Sequence, residues 1–378
     1  MDNQPAPQPP TGRVTVALVF GGRSSEHAVS CATAASVLRA IDRERYEVIP
    51  IGITREGRWV QVADDPTALD IAPGRLPEVP DSEGTVVLPL GTGSNAVTVS
   101  EPGQVPRLLS EVDVVFPLLH GPFGEDGTIQ GLLELADIRY VGCGVLASAA
   151  MMDKAFMKAV FTTAGLPVGP YTVITDLEWQ RDRAAALDAA HALQFPVFVK
   201  PARAGSSVGI TRVADPAGLE AAVEVARQHD PKVVIEAGIS GRELEVGVLG
   251  GHGSDPPRVS EVGEIVVGGE HAFYDFEAKY LDEASVVISS PAEVSTEVRD
   301  EIRRIGAVAF EAAGCEGLSR VDCFLTDSGE VLINEINTMP GFTPFSMYPQ
   351  VWAASGVSYP RLIDELITLA LQRRTGLR

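Results

Sequence analysis

Cysteine, positive charge and long apolar runs are all scarce in this sequence. The four cysteines among 378 residues, Cys31, Cys143, Cys315 and Cys323, include no C-x-x-C pair. They read as reduced core thiols of a cytosolic protein. No apolar run is long enough to span a bilayer, and no charged segment followed by an apolar one marks a secretory signal. Lysine and arginine are outnumbered by acids to a formal net charge of −21. That balance argues against a nucleic-acid or anionic-membrane surface, so a nucleotide site would need its own local lysines and arginines. Two nucleotide fingerprints are also missing. The first glycine turn is not G-x-G-x-x-G, which leaves a dinucleotide reading, and with it a dehydrogenase, without support; nowhere is there a G-x-x-x-x-G-K-[ST] loop.

What remains is ample for folding. A content of 45% hydrophobic and 21% charged residues allows two or three domains with substantial cores. Residues 1–11, rich in Pro and Gln, are expected to be disordered. The most informative stretch comes late. Two runs of β-formers, from Arg320 and up to Asn337, flank Thr326-Asp327-Ser328-Gly329-Glu330, which reads as a hairpin turn. With Ser328-Gly329 as a two-residue loop, Asp322 falls opposite Glu335 and Arg320 opposite Asn337, all on one face. A bulged turn would shift this register by one residue. Facing carboxylates repel, and a hard cation removes that cost; carboxylate and amide oxygens suit Mg²⁺.

The N-terminal third reads as the opening of a doubly wound α/β domain. The apolar strand Val14–Phe20 runs into Gly21-Gly22-Arg23-Ser24-Ser25-Glu26-His27, and a helical pattern follows from Ala28 to Ile41. Ser24 or Ser25 is the expected N-cap. Glu26 either completes a capping arrangement or holds a ligand ammonium. A second strand is expected at Tyr46–Ile53, and residues 64–110 read as a loop-and-hairpin insertion. The strand Val112–Leu119 ends in His120-Gly121-Pro122-Phe123-Gly124-Glu125-Asp126-Gly127-Thr128-Ile129-Gln130-Gly131, then a helix over 132–136. Polar groups at a strand's C-terminal end sit where open α/β sheets bind ligands.

Further on, one helical pattern covers Ser148–Ala164 and holds Met152-Asp153-Lys154. A strand ending in Lys200 leads into Ala202-Arg203-Ala204-Gly205-Ser206-Ser207-Val208-Gly209, a loop able to bring backbone N–H groups to phosphate oxygens. Strands follow at Val233–Glu236 and Arg242–Leu249, with Glu243 and Glu245 on one polar face. The aromatic stretch Phe273–Ala284, which contains Lys279 and Tyr280, reads as a lid. The turn-rich segment Thr338–Tyr348 could cradle an oxyanion or a carboxylate.

In this order, the motifs closely resemble those of D-alanine–D-alanine ligases of the ATP-grasp superfamily. The match covers nearly the whole chain apart from the Pro-rich tail and the 64–110 insertion. The resemblance implies an α/β fold, α+β in its C-terminal half: an ATP-grasp fold behind a Rossmann-like N-terminal domain. Three domains are expected, at 12–144, 145–235 and 236–378. It implies ATP-dependent joining of two D-alanines through a D-alanyl phosphate, for peptidoglycan synthesis in the cytoplasm, by a homodimer. By that likeness Glu26 holds the first ammonium and forms a triad with Ser206 and Tyr280, and His120 lies near the first carboxylate. Lys154, Lys200 and Lys279 contact ATP phosphates, covered by Ser207. Glu236 and Ala237 line the adenine hinge, with Glu243 on the ribose. Asp322, Glu335 and Asn337 hold two Mg²⁺ ions, for which Mn²⁺ could substitute. Arg320 and the Gly341 backbone stabilise the transferred phosphate and the oxyanion, and Ser346 and Met347 meet the second carboxylate. Ala237 stands where many relatives carry lysine, and Met347 where leucine is common. The alternatives are a D-alanine–D-lactate or mixed-specificity ligase and, in another class, a non-catalytic nucleotide-binding regulator. Tyr280 favours an amine nucleophile.

Overall fold

The structure is a computed structural model that describes residues 12–71, 74–89, 91, 94–267 and 286–375. Its first strand, β1 (Val14–Gly21), is buried from Val16 onward, as its unbroken apolar run requires. Helix α1 (His27–Ala40) crosses to β2 (Tyr46–Ile53), which pairs parallel to β1, and β3 (Trp59–Gln61) adds an antiparallel edge. The next three strands, β4 (Thr85–Val87), β5 (Ala96–Ser100) and β6 (Arg107–Glu111), form their own antiparallel sheet. The chain then returns through β7 (Val114–Pro117), α2 (Thr128–Leu135) and β8 (Arg139–Tyr140), giving the order β3-β2-β1-β7-β8. Since β1 lies between β2 and β7, its C-terminal end is where the winding reverses, the usual ligand crevice of such sheets.

Three local expectations need correction here. The insertion is a three-stranded sheet whose Val86, Leu88, Val97 and Val99 join the core formed with Ile49, Ile51 and Val115. Its alternating runs were short and turn-rich, which hid the third strand. Neither Ser24 nor Ser25 caps α1: Glu26 occupies the cap position with no side-chain cap bond. Ser24 Oγ is used elsewhere, accepting the Glu26 N–H at 3.2 Å and donating to His120 O at 2.8 Å. Helix α2 starts four residues earlier than its apolar pattern suggests, because Asp126 accepts the N–H groups of Phe123 and Thr128 and sets its first turn.

The expected single helix over 148–164 is two, α3 (Val145–Met152) and α4 (Lys154–Thr163). The break is Asp153, extended at φ −91° and ψ 104°, whose carboxylate accepts the N–H groups of Ala155 and Phe156. A competing cap thus overrides a continuous helical pattern. The central sheet follows: β9 (Tyr171–Ile174), α5 (Asp176–Arg181), α6 (Arg183–His191), β10 (Val197–Pro201), β11 (Thr211–Val213), α7 (Leu219–Arg227) and β12 (Val233–Ala237). Its antiparallel order is β11-β10-β12-β9, with Trp179 and Leu219 among the side chains packed against it.

The last sheet is built from β13 (Gly241–Leu249), β14 (Arg258–Val267), β15 (Val286–Ser289), β16 (Leu318–Thr326) and β17 (Val331–Asn337), in the order β15-β14-β13-β16-β17. Helix α8 (Thr296–Ala312) covers one face through Ile302, Ile305 and Ala309, and α9 (Met347–Ala354) and α10 (Tyr359–Gln372) pack Tyr348, Trp352 and Leu366 into the core shared with the first sheet. The β16–β17 hairpin has the expected pairs, Asp322 opposite Glu335 and Arg320 opposite Asn337. It reaches them by two compensating departures. Thr326 N–H bonds to Glu330 O, so the loop holds three residues, with Gly329 left-handed at φ +86°. A bulge at the Asp322/Cys323 step then absorbs one residue of β17 and restores the register. Among the described residues, no helix is long and apolar enough to cross a membrane.

Candidate active site

A cavity of 540 Å³ opens between the first, central and last sheets. Glu26, His120 and Glu125 line it from the first domain; Lys154, Lys158, Lys200, Ser206, Ser207 and Glu236 from the central part; and Glu243, Arg320, Asp322, Glu335, Asn337 and Gly341 from the last. The chain brings the ends of β1 and β7 together through Ser30, whose hydroxyl accepts Gly21 N–H at 2.7 Å and donates to Leu118 O at 2.5 Å. Glu26 and His120 therefore project from one rigid corner, both buried. His120 Nδ1 lies 3.2 Å from Met339 O, which ties this corner to the segment leading into Gly341. Burial holds the His120 imidazole below its ordinary pKa, so the ring is neutral at neutral pH. Burial and the neighbouring Glu26 push Glu125 up to about 8.

The glycine-rich loop bridges this corner to the central sheet. Ser206 Oγ donates to Glu26 Oε1 at 2.5 Å, and Lys154 Nζ donates to Ala204 O at 3.0 Å. Ser206 and Ser207 are both left-handed, at φ +48° and +58°. Two successive non-glycine residues in that region cost roughly 1–2 kcal/mol each. Such strain persists only where surrounding contacts impose it, and it clusters at ligand clamps.

Behind the loop lies a cluster of buried charge that the sequence reading located only in part. Glu236 accepts from Lys200 Nζ at 2.5 Å and from Lys158 Nζ at 2.8 Å. Burial alone would raise the Glu236 pKa, yet the two lysines hold it far below the usual carboxylate range. Burial likewise works against the Lys200 ammonium, and Glu236 outweighs it. Burial lowers Lys154, against the partial support of Glu335, 4.0 Å away. Lys158 was missed; the signal was its position one helical turn after Lys154, on the same face of α4.

On the last sheet, Arg320 grips both oxygens of Asp322 at 2.7 Å and also reaches Glu245 at 2.8 Å. Asn337 Nδ2 donates to Asp322 at 3.0 Å. Burial would weaken the guanidinium, but Asp322 and Glu245 keep it firmly charged. Glu245, expected beside Glu243 on one polar face, is buried on Arg320, while Glu243 is exposed at the cavity edge. Ser346 and Met347 are not among the lining residues. The Ser346 hydroxyl lies 2.9 Å from Thr343 Oγ1, and Met347 is buried against β14 beside Gly263. Ala237 lines the cavity at the end of β12, with its N–H bonded to Pro170 O. Lys279 and Tyr280 lie outside the described residues.

Two sheets closing on a cleft, lysines on one wall and paired carboxylates on the other, behind a parallel-sheet domain, define an ATP-grasp enzyme. Models of the "D-ala D-ala ligase N-terminus" and "D-ala D-ala ligase C-terminus" match residues 15–143 and 160–368. A D-alanine–D-alanine ligase of Paenarthrobacter aurescens is 60% identical over 98% of both chains. That of Streptomyces coelicolor is 57% identical over 96% of this chain and 94% of the relative. Among solved structures, the D-alanine–D-alanine ligase of Coxiella burnetii is 31% identical with a TM-score of 0.78, over 96% of this chain and 95% of its own. The VanG D-Ala:D-Ser ligase of Enterococcus faecalis is 35% identical with a TM-score of 0.80, over 95% and 99%. The chain belongs to the D-alanine–D-alanine ligase family.

Proposed function

We propose that this chain joins two D-alanine molecules into D-alanyl-D-alanine at the expense of ATP, for peptidoglycan synthesis. The observation that carries the reading is the single cavity in which an ammonium-binding corner, a lysine cluster and a carboxylate pair face one another. Glu26 holds the first D-alanine's ammonium, and His120 lies by its carboxylate. Lys154 and Lys200 offset the triphosphate charge as it approaches a second anion, a repulsion that would otherwise block in-line transfer. Glu236 and Ala237 meet the adenine, Glu243 the ribose, and Ser207 lies over the phosphates. Transfer of the γ-phosphoryl group turns a poor electrophile into an acyl phosphate with a good leaving group. The second D-alanine's amine then attacks, and Arg320 and the Gly341 N–H face the charge that develops. The family likeness assigns Lys279, outside the described residues, to the ATP phosphates and Tyr280, likewise outside them, to the amine nucleophile's side of the reaction. Ser346 and Met347 would reach the second carboxylate only after a rearrangement of their segment.

The carboxylates Asp322 and Glu335 and the amide of Asn337 fit magnesium as oxygen donors on one sheet face, with Arg320, which holds both Asp322 oxygens here, giving way to the cation. Two Mg²⁺ ions, or Mn²⁺ in their place, would neutralise phosphate charge there. The protein acts in the cytoplasm, in keeping with four free, buried cysteines. It acts as a homodimer, and the exposed Leu135 and Leu146 on the adjoining helices α2 and α3 support a second copy as partner.

The test is phosphate release from ATP with D-alanine, L-alanine or D-lactate, with and without Mg²⁺. Release that needs both D-alanine and the metal supports the reading. Added D-lactate that diverts D-alanine from the dipeptide into a depsipeptide product would point to a depsipeptide ligase, and no amino-acid-dependent release would leave a nucleotide-binding regulator.

A further inference from the structure

Lys154 and Lys200 have phosphates to meet, but Lys158 does not. It is 3% exposed, its ammonium lies 2.8 Å from Glu236 Oε1, and it stands 5.5 Å from the centre of the Tyr171 ring. Lys200 takes the other oxygen of the same carboxylate and keeps more access to the cavity, its side chain 15% exposed against 4% for Lys158. An enclosed carboxylate needs a compensating charge at all times. Once a triphosphate arrives, the reachable Lys200 is drawn to it, and Lys158 is the partner that remains. A carboxylate held by one oxygen on a fixed ammonium presents its other oxygen as an acceptor in a set direction. The 6-amino group of adenine donates to such an oxygen, and the 6-oxo group of hypoxanthine or guanine repels it.

We infer that Lys158 is a positioning residue that aims Glu236 at the adenine 6-amino group when Lys200 turns to the phosphates, and thereby sets the preference for adenine over 6-oxo purines. This rests on the nucleotide placement proposed above.

The full-length protein with Mg²⁺ is titrated calorimetrically with ATP and with inosine triphosphate, in the absence of D-alanine. Lys158→Met, which keeps the stem and removes the charge, should weaken ATP about tenfold or more and inosine triphosphate by less than about threefold, the scale of one charge-assisted hydrogen bond. Lys158→Arg should restore most of the preference. In a Glu236→Gln background, Lys158→Met should change the ATP-to-inosine ratio no further, because its effect runs through that carboxylate. Equal weakening of both nucleotides, or an unchanged ratio in a variant that melts like the parent, overturns the inference. If Lys158→Met does not fold, Lys158→Gln is judged by the same ratio. A parent protein that binds both nucleotides equally overturns the adenine placement itself, a different failure from loss of the Lys158 effect alone.

Discussion

Gly121→Ala would place one methyl group against the carboxylate on which first-substrate binding is proposed to depend. Gly121 has φ +72°, and a Cβ built there lies 2.6 Å from Glu26 Oε2. Side-chain carbons essentially never approach within 3.0 Å, so the carboxylate must retreat. Its other oxygen is committed to Ser206 at 2.5 Å, a bond that short distances make sensitive. Losing one hydrogen bond to a charged group costs about 1.5–3 kcal/mol, or roughly 10- to 100-fold in kcat/KM for the first D-alanine. The left-handed backbone adds about 1–2 kcal/mol of general destabilisation, visible as a lower melting temperature. ATP affinity should stay within about twofold, because the lysine cluster makes no contact with Gly121. Phosphate release at varied D-alanine, together with ATP calorimetry, separates these terms. A D-alanine KM unchanged from the parent, or ATP and D-alanine affinities falling in parallel, would refute the reasoning.

Glu335→Gln removes one of the two facing acids while keeping its shape, and turnover should drop by about 100-fold or more, with recovery at high Mg²⁺ incomplete; near-parental kcat would contradict the metal assignment. Glu125 has a folded pKa of about 8, above its unfolded value, so the folded state binds the extra proton between these values. Its contribution to stability is therefore full below about pH 4 and is lost as pH rises through 8. Melting temperatures across that window should fall less steeply for Glu125→Gln than for the parent, and parallel curves would sink the idea. Asp153→Ala removes the cap between α3 and α4 and should destabilise by about 1–2 kcal/mol in a urea titration, an outcome that an unchanged midpoint would exclude.

How much of this was legible beforehand depended on whether a single local signal acted alone. Strand β1, helix α1 and the strand at Val233 follow directly from apolar runs and periodicity, and the structure has them within a residue or two. The helix over 148–164 failed because Asp153 offers the backbone a better local bond than continuation does. The insertion's hairpin strands were expected, but its third strand was missed because the sheet is stabilised by packing on the first sheet, which no local pattern reports. Likewise Glu26, His120, Lys200, Asp322 and Glu335 announced themselves at strand ends or on a hairpin face. Lys158 did not, because a lysine on an amphipathic helix is ordinarily exposed. Only the meeting of α4 with the Glu236 strand gives its charge a purpose.

The hairpin's pair of departures carries a rule about chain length. Twelve residues separate Asp322 from Glu335 by their numbers, and a tight tip without a bulge or a wider tip with one both satisfy that count. A gain or loss of one residue in that interval leaves the two acids facing only where the tip or the bulge changes by one residue to match. Length variation in this segment should therefore be confined to the tip and the bulge, a constraint on spacing that substitution studies alone would never reveal.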